Sequence, residues 1–212
     1  MQRLFYSAAR TKEAQPVMSQ FDRDKWNTKY SDPATVPNDP APSIVRLAEF
    51  LPKSGRALDL AGGAGRHSIW LAKRGLDVTL ADVSTVGLQH AKQRAADDNV
   101  SITLCETDLE PDGTTDQRNA FPLGPWDLVL SHYYYCRALF PAIVESLAPA
   151  GMLVIVQPTI RNLERNSKPP RPFLLEEGEL QTLAAGLEIE TFTEGWTFEN
   201  RHEAALIARR PV

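Results

Sequence analysis

The stretch Asp59-Leu60-Ala61-Gly62-Gly63-Ala64-Gly65-Arg66-His67-Ser68 carries residue types that can hold a nucleotide-like ligand. Its glycines lie between a short apolar run, Arg56-Ala57-Leu58, and a helical pattern, Ile69 to Arg74, closed by Gly75. That order reads as strand, glycine-rich turn, helix. Such a turn lets the backbone approach a ligand closely and aims amides of the helix N-terminus at it. Asp82 ends the next apolar run, 17 residues after Gly65. An acid at that point can accept hydrogen bonds from both ribose hydroxyls of an adenosine. A structural use is also open to it, as a strand-end or helix-capping carboxylate.

Two cofactor classes combine a glycine turn with such an acid: nicotinamide dinucleotides and S-adenosylmethionine. The dinucleotide pattern G-x-G-x-x-G fits imperfectly, because from Gly63 and Gly65 its third glycine falls on Ser68. Charge decides between them. A dinucleotide lays a doubly charged pyrophosphate on the turn, beside the Asp59 carboxylate, and that repulsion is costly in a partly dry site. S-adenosylmethionine brings an ammonium and a sulfonium, which Asp59 favours, and a single carboxylate that can face the helix amides. Arg66 either pairs with that carboxylate or is a solvated helix-start residue.

Methyl transfer from a sulfonium is an in-line displacement and asks mainly for positioning and exclusion of water. A base is needed only where the acceptor carries a proton of high pKa. His132 and Tyr133, in Ser131-His132-Tyr133-Tyr134-Tyr135-Cys136-Arg137, are the candidates. The other reading of these aromatics is as the wall of an acceptor pocket or as core. Aromatic faces there attract a sulfonium and suit a small, soft or apolar acceptor. His67 reads as a packed or capping histidine. The four histidines show no metal-ligand spacing with each other or with the cysteines, and no metal is expected.

Strands and helices alternate around these residues. Strands are expected at about 56–60, 77–81, 101–105, 126–131, 152–156, 187–192 and 204–209. Helices are expected at 44–51, 65–74, from the Ser84 N-cap onward, and near 138–147 and 176–184. This order predicts an α/β, doubly wound, Rossmann-like fold. Its seven-stranded sheet is mostly parallel with an antiparallel last strand, and ligands sit at the carboxyl ends of the strands. Residues 31–43 hold Pro33, Pro37, Pro40 and Pro42 and read as a loop.

The chain has 212 residues, enough for one such domain. A net charge of −4 speaks against a nucleic-acid surface. No apolar run is long enough to span a bilayer. Cys105 and Cys136 are too few for a disulfide framework and fit a reducing, cytoplasmic compartment. Residues 1–17 carry arginines before the first acid at Glu13. They read as a disordered leader, or as an upstream start with Met18 the functional one, rather than a transit peptide. Residues 18–212 are then a single domain, opened by an arm over 18–43.

Two linked motifs and a tail carry a family resemblance. Trp26-Asn27-Thr28-Lys29-Tyr30 is similar to a W-[DN]-x-x-Y opening. Ala57 to Ser68 and Val78-Thr79-Leu80-Ala81-Asp82-Val83-Ser84 follow, and Arg171-Pro172-Phe173-Leu174-Leu175-Glu176-Glu177-Gly178-Glu179-Leu180 closes the match. Over residues 24–209 the chain resembles class I S-adenosylmethionine-dependent methyltransferases, in the subgroup similar to tellurite-resistance methyltransferases. The resemblance implies that Asp59, Ala61, Gly63 and Gly65 form the turn under the methionine part of the cofactor. It implies that Asp82 holds the ribose, Val83 packs on the adenine, Asp108 receives the adenine amino group and Leu109 offers an amide beside it. It places the Ser131 carbonyl at the methionine ammonium, and Trp26 and Tyr30 as a lid; their alternative role is docking of the arm. The family most often has glycine where Ala61 stands, and a methyl group there tightens clearance at the cofactor.

These residues predict transfer of a methyl group from S-adenosylmethionine to a small-molecule acceptor, with S-adenosylhomocysteine released. The alternative is a non-catalytic member of the fold that binds the nucleoside or a partner protein.

Overall fold

The computed structural model describes residues 20–32, 34, 36–110 and 121–212. The leader expected at 1–17 lies outside the described residues, as do Pro33 and residue 35 of the proline-rich loop. In chain order the elements are α1 (Gln20–Tyr30), α2 (Pro42–Val45), β1 (Arg56–Leu60), α3 (Arg66–Lys73), β2 (Asp77–Asp82), α4 (Thr85–Asp97) and β3 (Thr103–Glu106). There follow β4 (Trp126–His132), α5 (Phe140–Ser146), β5 (Leu147–Pro158), α6 (Glu179–Leu183), β6 (Glu188–Trp196) and β7 (His202–Arg209). Short 3-10 turns lie at Arg137–Leu139, Ile160–Glu164 and Arg171–Phe173.

The strands form one sheet in the order β3-β2-β1-β4-β5-β7-β6. β1 pairs parallel with β2 and β4, β2 with β3, and β4 with β5, whereas β7 runs antiparallel to β5 and β6. The expected mostly parallel, seven-stranded, doubly wound sheet with an antiparallel last strand is the architecture observed.

The strands are apolar on both sides because helices cover both faces. Leu128 and Leu130 of β4 and Met152, Val154 and Val156 of β5 pack toward Ile44 and Leu71. The alternating Val129, Leu153 and Ile155 pack toward Phe140, Ile143 and Leu180. A third patch joins Leu80 of β2 to Leu88 and Ala91 of α4. The chain builds β1, β2 and β3 outward in one direction and then returns to place β4 on the other side of β1. The carboxyl ends of β1 and β4 thus flank the switch point where such sheets bind ligands.

Local differences from the expected elements have local causes. β3 starts at Thr103, because Asn99 adopts φ 55° and the amides of Asn99 and Val100 return to the carbonyls of Ala96 and Ala95. That is a Schellman stop, and the next residues carry the chain back to the sheet. α-Helix is limited to Pro42–Val45 of the segment expected over 44–51; tighter i→i−3 bonds wind on to Leu51, and Phe50 stays 41% exposed. β5 begins at Leu147, since Leu147 pairs with Trp126 and Met152 with Leu128, and the intervening residues bulge from the ladder. α1 has no counterpart among the expected elements.

Candidate functional site

β1 ends at Leu60, and the chain turns at once into the left-handed region: Ala61 has φ 52°, Gly63 φ 56° and Gly65 φ 79°. Glycine takes this region freely, while alanine does so at a cost of roughly 1–2 kcal/mol. Two positions demand glycine for a second reason. A Cβ on Gly65 would lie 2.8 Å from the Cβ of Ala91 on α4, and one on Gly63 would run into the Tyr30 hydroxyl. The turn is therefore pressed between α4 below and α1 above.

Two carboxylates hold it. Asp59 is 1% exposed and accepts a 2.6 Å hydrogen bond from the Ser68 hydroxyl. Burial raises its pKa to about 7; the bond from Ser68 and the nearby Arg66 oppose that rise, and Asp82 adds to it. Asp82 accepts from the Gly63 amide at 2.8 Å through one oxygen and from the Ser84 amide at 2.8 Å through the other. Burial raises its pKa too, against the bonds from Ser84 and Gly63. The capping use of Asp82 is thus real, and it leaves each oxygen a further lone pair for a ligand. The Gly63 amide is thus directed inward, to Asp82.

α1 crosses this edge of the sheet. Arg23 meets Glu106 at the end of β3 at 2.7 Å. The Asn27 side-chain oxygen accepts from the Ser84 hydroxyl at 2.7 Å and the Val86 amide at 3.3 Å, so α1 helps to cap α4. Tyr30 sits on the turn, and its carbonyl accepts from His90 at 3.0 Å. Its phenol titrates well above the usual range, because it is buried and faces Asp82 and Asp59. Trp26 stacks on Tyr30 at 6.0 Å, with the Lys29 ammonium 4.4 Å over its ring. Arg94 ties the arm down further through the carbonyls of Val36, Pro37 and Ala64.

The second half of the site is the end of β4. Ser131 lies opposite Leu60 and is 3% exposed; its hydroxyl donates to the Tyr134 carbonyl at 3.0 Å. His132 is the last residue of the strand. Its Nδ1 accepts from Arg66 at 3.3 Å, which leaves Nε2 to donate to the Ser43 hydroxyl at 3.1 Å. Burial, His67 and Arg66 hold its pKa well below the usual histidine range, so the ring is neutral with both nitrogens engaged. His67 is a packed histidine: its Nε2 accepts from the Ala41 amide at 3.1 Å and its pKa falls to about 3, through burial and then Arg66. Tyr133 stacks on His132 at 4.0 Å, has φ 61°, and donates its hydroxyl to Glu203.

Val83 is buried beside Asp82. Asp108 lies two residues past Glu106, which pairs with Asp82, and one of its oxygens accepts from the Glu110 amide at 2.9 Å. Leu109 is 3% exposed. The fold therefore gathers Asp59, Ala61, Gly63, Gly65 and Asp82 under Tyr30, sets Ser131, His132 and Tyr133 on the adjacent strand end, and places Asp108 and Leu109 beyond β3. The sequence reading met Asn27 only as part of the opening motif and missed Glu110 and Glu203. Glu110 is buried, faces the Tyr134 hydroxyl, and has its pKa raised to about 7 by burial. Among the described residues no group of three histidine, cysteine or acidic side chains could hold a metal. No helix among them is long and apolar enough to cross a membrane.

Residues 57–151 match a family model described as a methyltransferase domain. Among curated proteins no sequence matches the chain. Of solved structures, TehB from Haemophilus influenzae superposes with a TM-score of 0.64 at 21% identity, over 89% of this chain and 66% of that one. The chain thus spans about two thirds of that protein's length. The N-methyltransferase NodS from Bradyrhizobium japonicum WM9, solved with S-adenosyl-L-homocysteine, gives a TM-score of 0.66 at 17% identity over 90% and 98%. An S-adenosylmethionine-dependent methyltransferase from Mesorhizobium loti gives 0.61 at 21% over 80% and 98%. The domain match over residues 57–151 is to a methyltransferase family, and the solved structures share the fold.

Proposed function

We propose that this chain is a methyltransferase that moves the methyl group of S-adenosylmethionine to a small-molecule acceptor and releases S-adenosylhomocysteine. The observation that carries the reading is the character of the glycine turn. It offers a ligand two buried carboxylates, Asp59 and Asp82, while its Gly63 amide is committed to Asp82. A pyrophosphate finds no free amide at Gly63 and faces both carboxylates. An amino acid ammonium and a ribose diol find acceptors. The donor set therefore fits S-adenosylmethionine, which supplies a methyl group already activated on a sulfonium.

The chain's own residues then have these parts. Asp59 and the turn from Ala61 to Gly65 hold the amino acid end, with Ser131 beside them. Asp82 takes the ribose, Val83 lines the adenine, and Asp108 and Leu109 meet its edge. Trp26 and Tyr30 of α1 close over the turn and keep water out. Residues 18–212 act as one domain whose arm, 18–43, is the lid.

The test is a pair of measurements on the full chain. S-adenosylmethionine and S-adenosylhomocysteine should raise the melting temperature, because a ligand that binds only the folded state stabilises it. NAD should not. A shift with NAD and none with S-adenosylmethionine sinks the reading. Release of S-adenosylhomocysteine with a panel of small acceptors separates turnover from binding alone.

A further inference from the structure

Tyr133 is placed in a way that packing does not explain. It is a bulky residue at φ 61°, directly after β4, and 43% of it is exposed. Left-handed backbone at such a residue is strained and persists where the surroundings impose it. Here the Tyr133 amide donates to the Val156 carbonyl at 2.9 Å, and the ring lies flat on His132. The consequence of the strain is one contact: the phenol reaches across β5 to Glu203, at the start of β7. Because β7 is antiparallel, its start lies at the carboxyl edge of the parallel strands, where Glu203 pairs opposite Pro158.

Glu203 is itself out of place for a structural acid. It is 7% exposed, and burial raises its pKa against the bond from the Tyr133 hydroxyl. Glu199 and Arg201, from the β6–β7 turn, and Arg46, after α2, are the other charged groups acting on it. Arg46 is paired with Glu199 at 3.2 Å. A buried carboxylate whose hydrogen-bond partner is a half-exposed phenol costs more desolvation than that neutral bond returns. What the pair provides is a path: a half-exposed phenol, one hydrogen bond from a buried base, beside Arg66 and His132 at the switch point.

We propose that Tyr133 and Glu203 are the acceptor-side proton relay of this site, and that the acceptor is a protic nucleophile: a thiol, a hydroxyl or an amine. The proposal rests on the methyltransferase reading above. The acceptor's X–H donates to the Tyr133 oxygen. The lone pair on X forms the bond to the methyl carbon, and the carbon–sulfur bond breaks with its electrons on sulfur. The X–H proton passes to the Tyr133 oxygen while the phenol's own proton passes to the Glu203 carboxylate. One positive charge on sulfur and one negative charge on Glu203 disappear together, Tyr133 ends neutral, and Glu203 later returns its proton to solvent. Tyr133 touches the acceptor and is the catalytic residue; Glu203 acts through it. His132, neutral and bonded at both nitrogens, serves as the surface on which Tyr133 lies.

The test uses the full chain, Glu203→Gln, which is isosteric and keeps an oxygen for the phenol, and Tyr133→Phe. Calorimetry with S-adenosylhomocysteine checks the site beneath the proposal. Turnover is compared for protic probes (2-mercaptoethanol, a phenol, a primary amine) and for dimethyl sulfide, which has no proton to lose. In both variants the ratio of protic to aprotic turnover should fall about 100-fold, the usual scale for a positioned base. At saturating cofactor, the part of the low-pH loss of wild-type rate that protonation of Glu203 causes should disappear in Glu203→Gln. Without any acceptor, ultraviolet titration of the phenols should show one midpoint moved to lower pH in Glu203→Gln and missing in Tyr133→Phe. An unchanged ratio, or no displaced phenol, overturns the relay. Binding of S-adenosylhomocysteine with no protic probe methylated by the wild type also overturns it. Absence of that binding instead overturns the methyltransferase reading, and the relay with it.

Discussion

Asp82 shows how one side chain can satisfy two readings. Its type and distance from the glycine turn were legible, since few positions place a carboxylate at the end of the second strand of such a fold. Its hydrogen bonds were not, because they run to the amide of Gly63, 19 residues away. Asp82→Ala should therefore do more than remove ribose contacts. Cofactor affinity should fall about ten-fold or more, as expected when charge-assisted bonds are lost. The fold should also lose about 1–3 kcal/mol, because two buried amides lose their acceptor. Calorimetric titration and denaturant unfolding of the same variant measure both; intact stability would mean that the amides find water or a new partner. Glu203 is the opposite case. In Arg201-His202-Glu203-Ala204 nothing marks it as chemical, since its meaning depends on a left-handed tyrosine 70 residues earlier. Sequence periodicity carries no record of such a crossing contact.

At the scale of elements, the parallel core of the sheet was readable because strands such as β1, β2 and β5 are short aliphatic runs that follow a glycine or end at an acid or a proline. Helices α3 and α4 were readable for a related reason: α3 follows the glycine turn and stops before Gly75, and α4 starts at Ser84, which does accept from the Gly87 amide at 3.0 Å. α1 escaped because it buries no residue fully and has no apolar stripe. Its helix is stabilised from outside, by Asn27 on the N-terminus of α4 and by Trp26 and Tyr30, one turn apart, over the glycine turn. Helices of this length gain most of their stability from packing. Removing residues 1–17 should leave S-adenosylhomocysteine affinity unchanged, whereas removing 1–30 should weaken it several-fold. Asn27→Ala should fall between the two, since it loosens α1 without deleting Tyr30. Equal affinity for the two truncations would show that α1 is only a docked arm and not a lid.

For the molecule as a whole, the site contributes charge and little stability, and the balance depends on pH. The Asp59 carboxyl binds its proton more tightly in the fold, at about 7, than in the unfolded chain, near the ordinary value of 3.8. Protonation of Asp59 therefore stabilises the fold. That contribution is full below pH 3.8 and is lost as pH rises through about 7. Glu110, raised to about 7, acts in the same direction. His67, lowered to about 3, acts oppositely: its penalty for staying neutral fades as pH rises to 6.5 and is absent above it. Between pH 6.5 and 8 the acids are therefore left to dominate, and the ligand-free protein should lose stability across that interval. Asp59→Asn keeps an acceptor for Ser68 and removes the buried charge. It should be on the order of 1–3 kcal/mol more stable than wild type at pH 8, with a flatter pH profile. Its cost should appear in binding. An ammonium ligand favours ionised Asp59, so the wild type should bind S-adenosylhomocysteine more tightly at pH 8 than at pH 6, while Asp59→Asn binds weakly at both. Urea unfolding and calorimetry at the two pH values decide it. If Asp59→Asn kept the wild-type slope in both stability and affinity, Asp59 would be neutral throughout, and the cation preference of the turn would have to come from Asp82 alone.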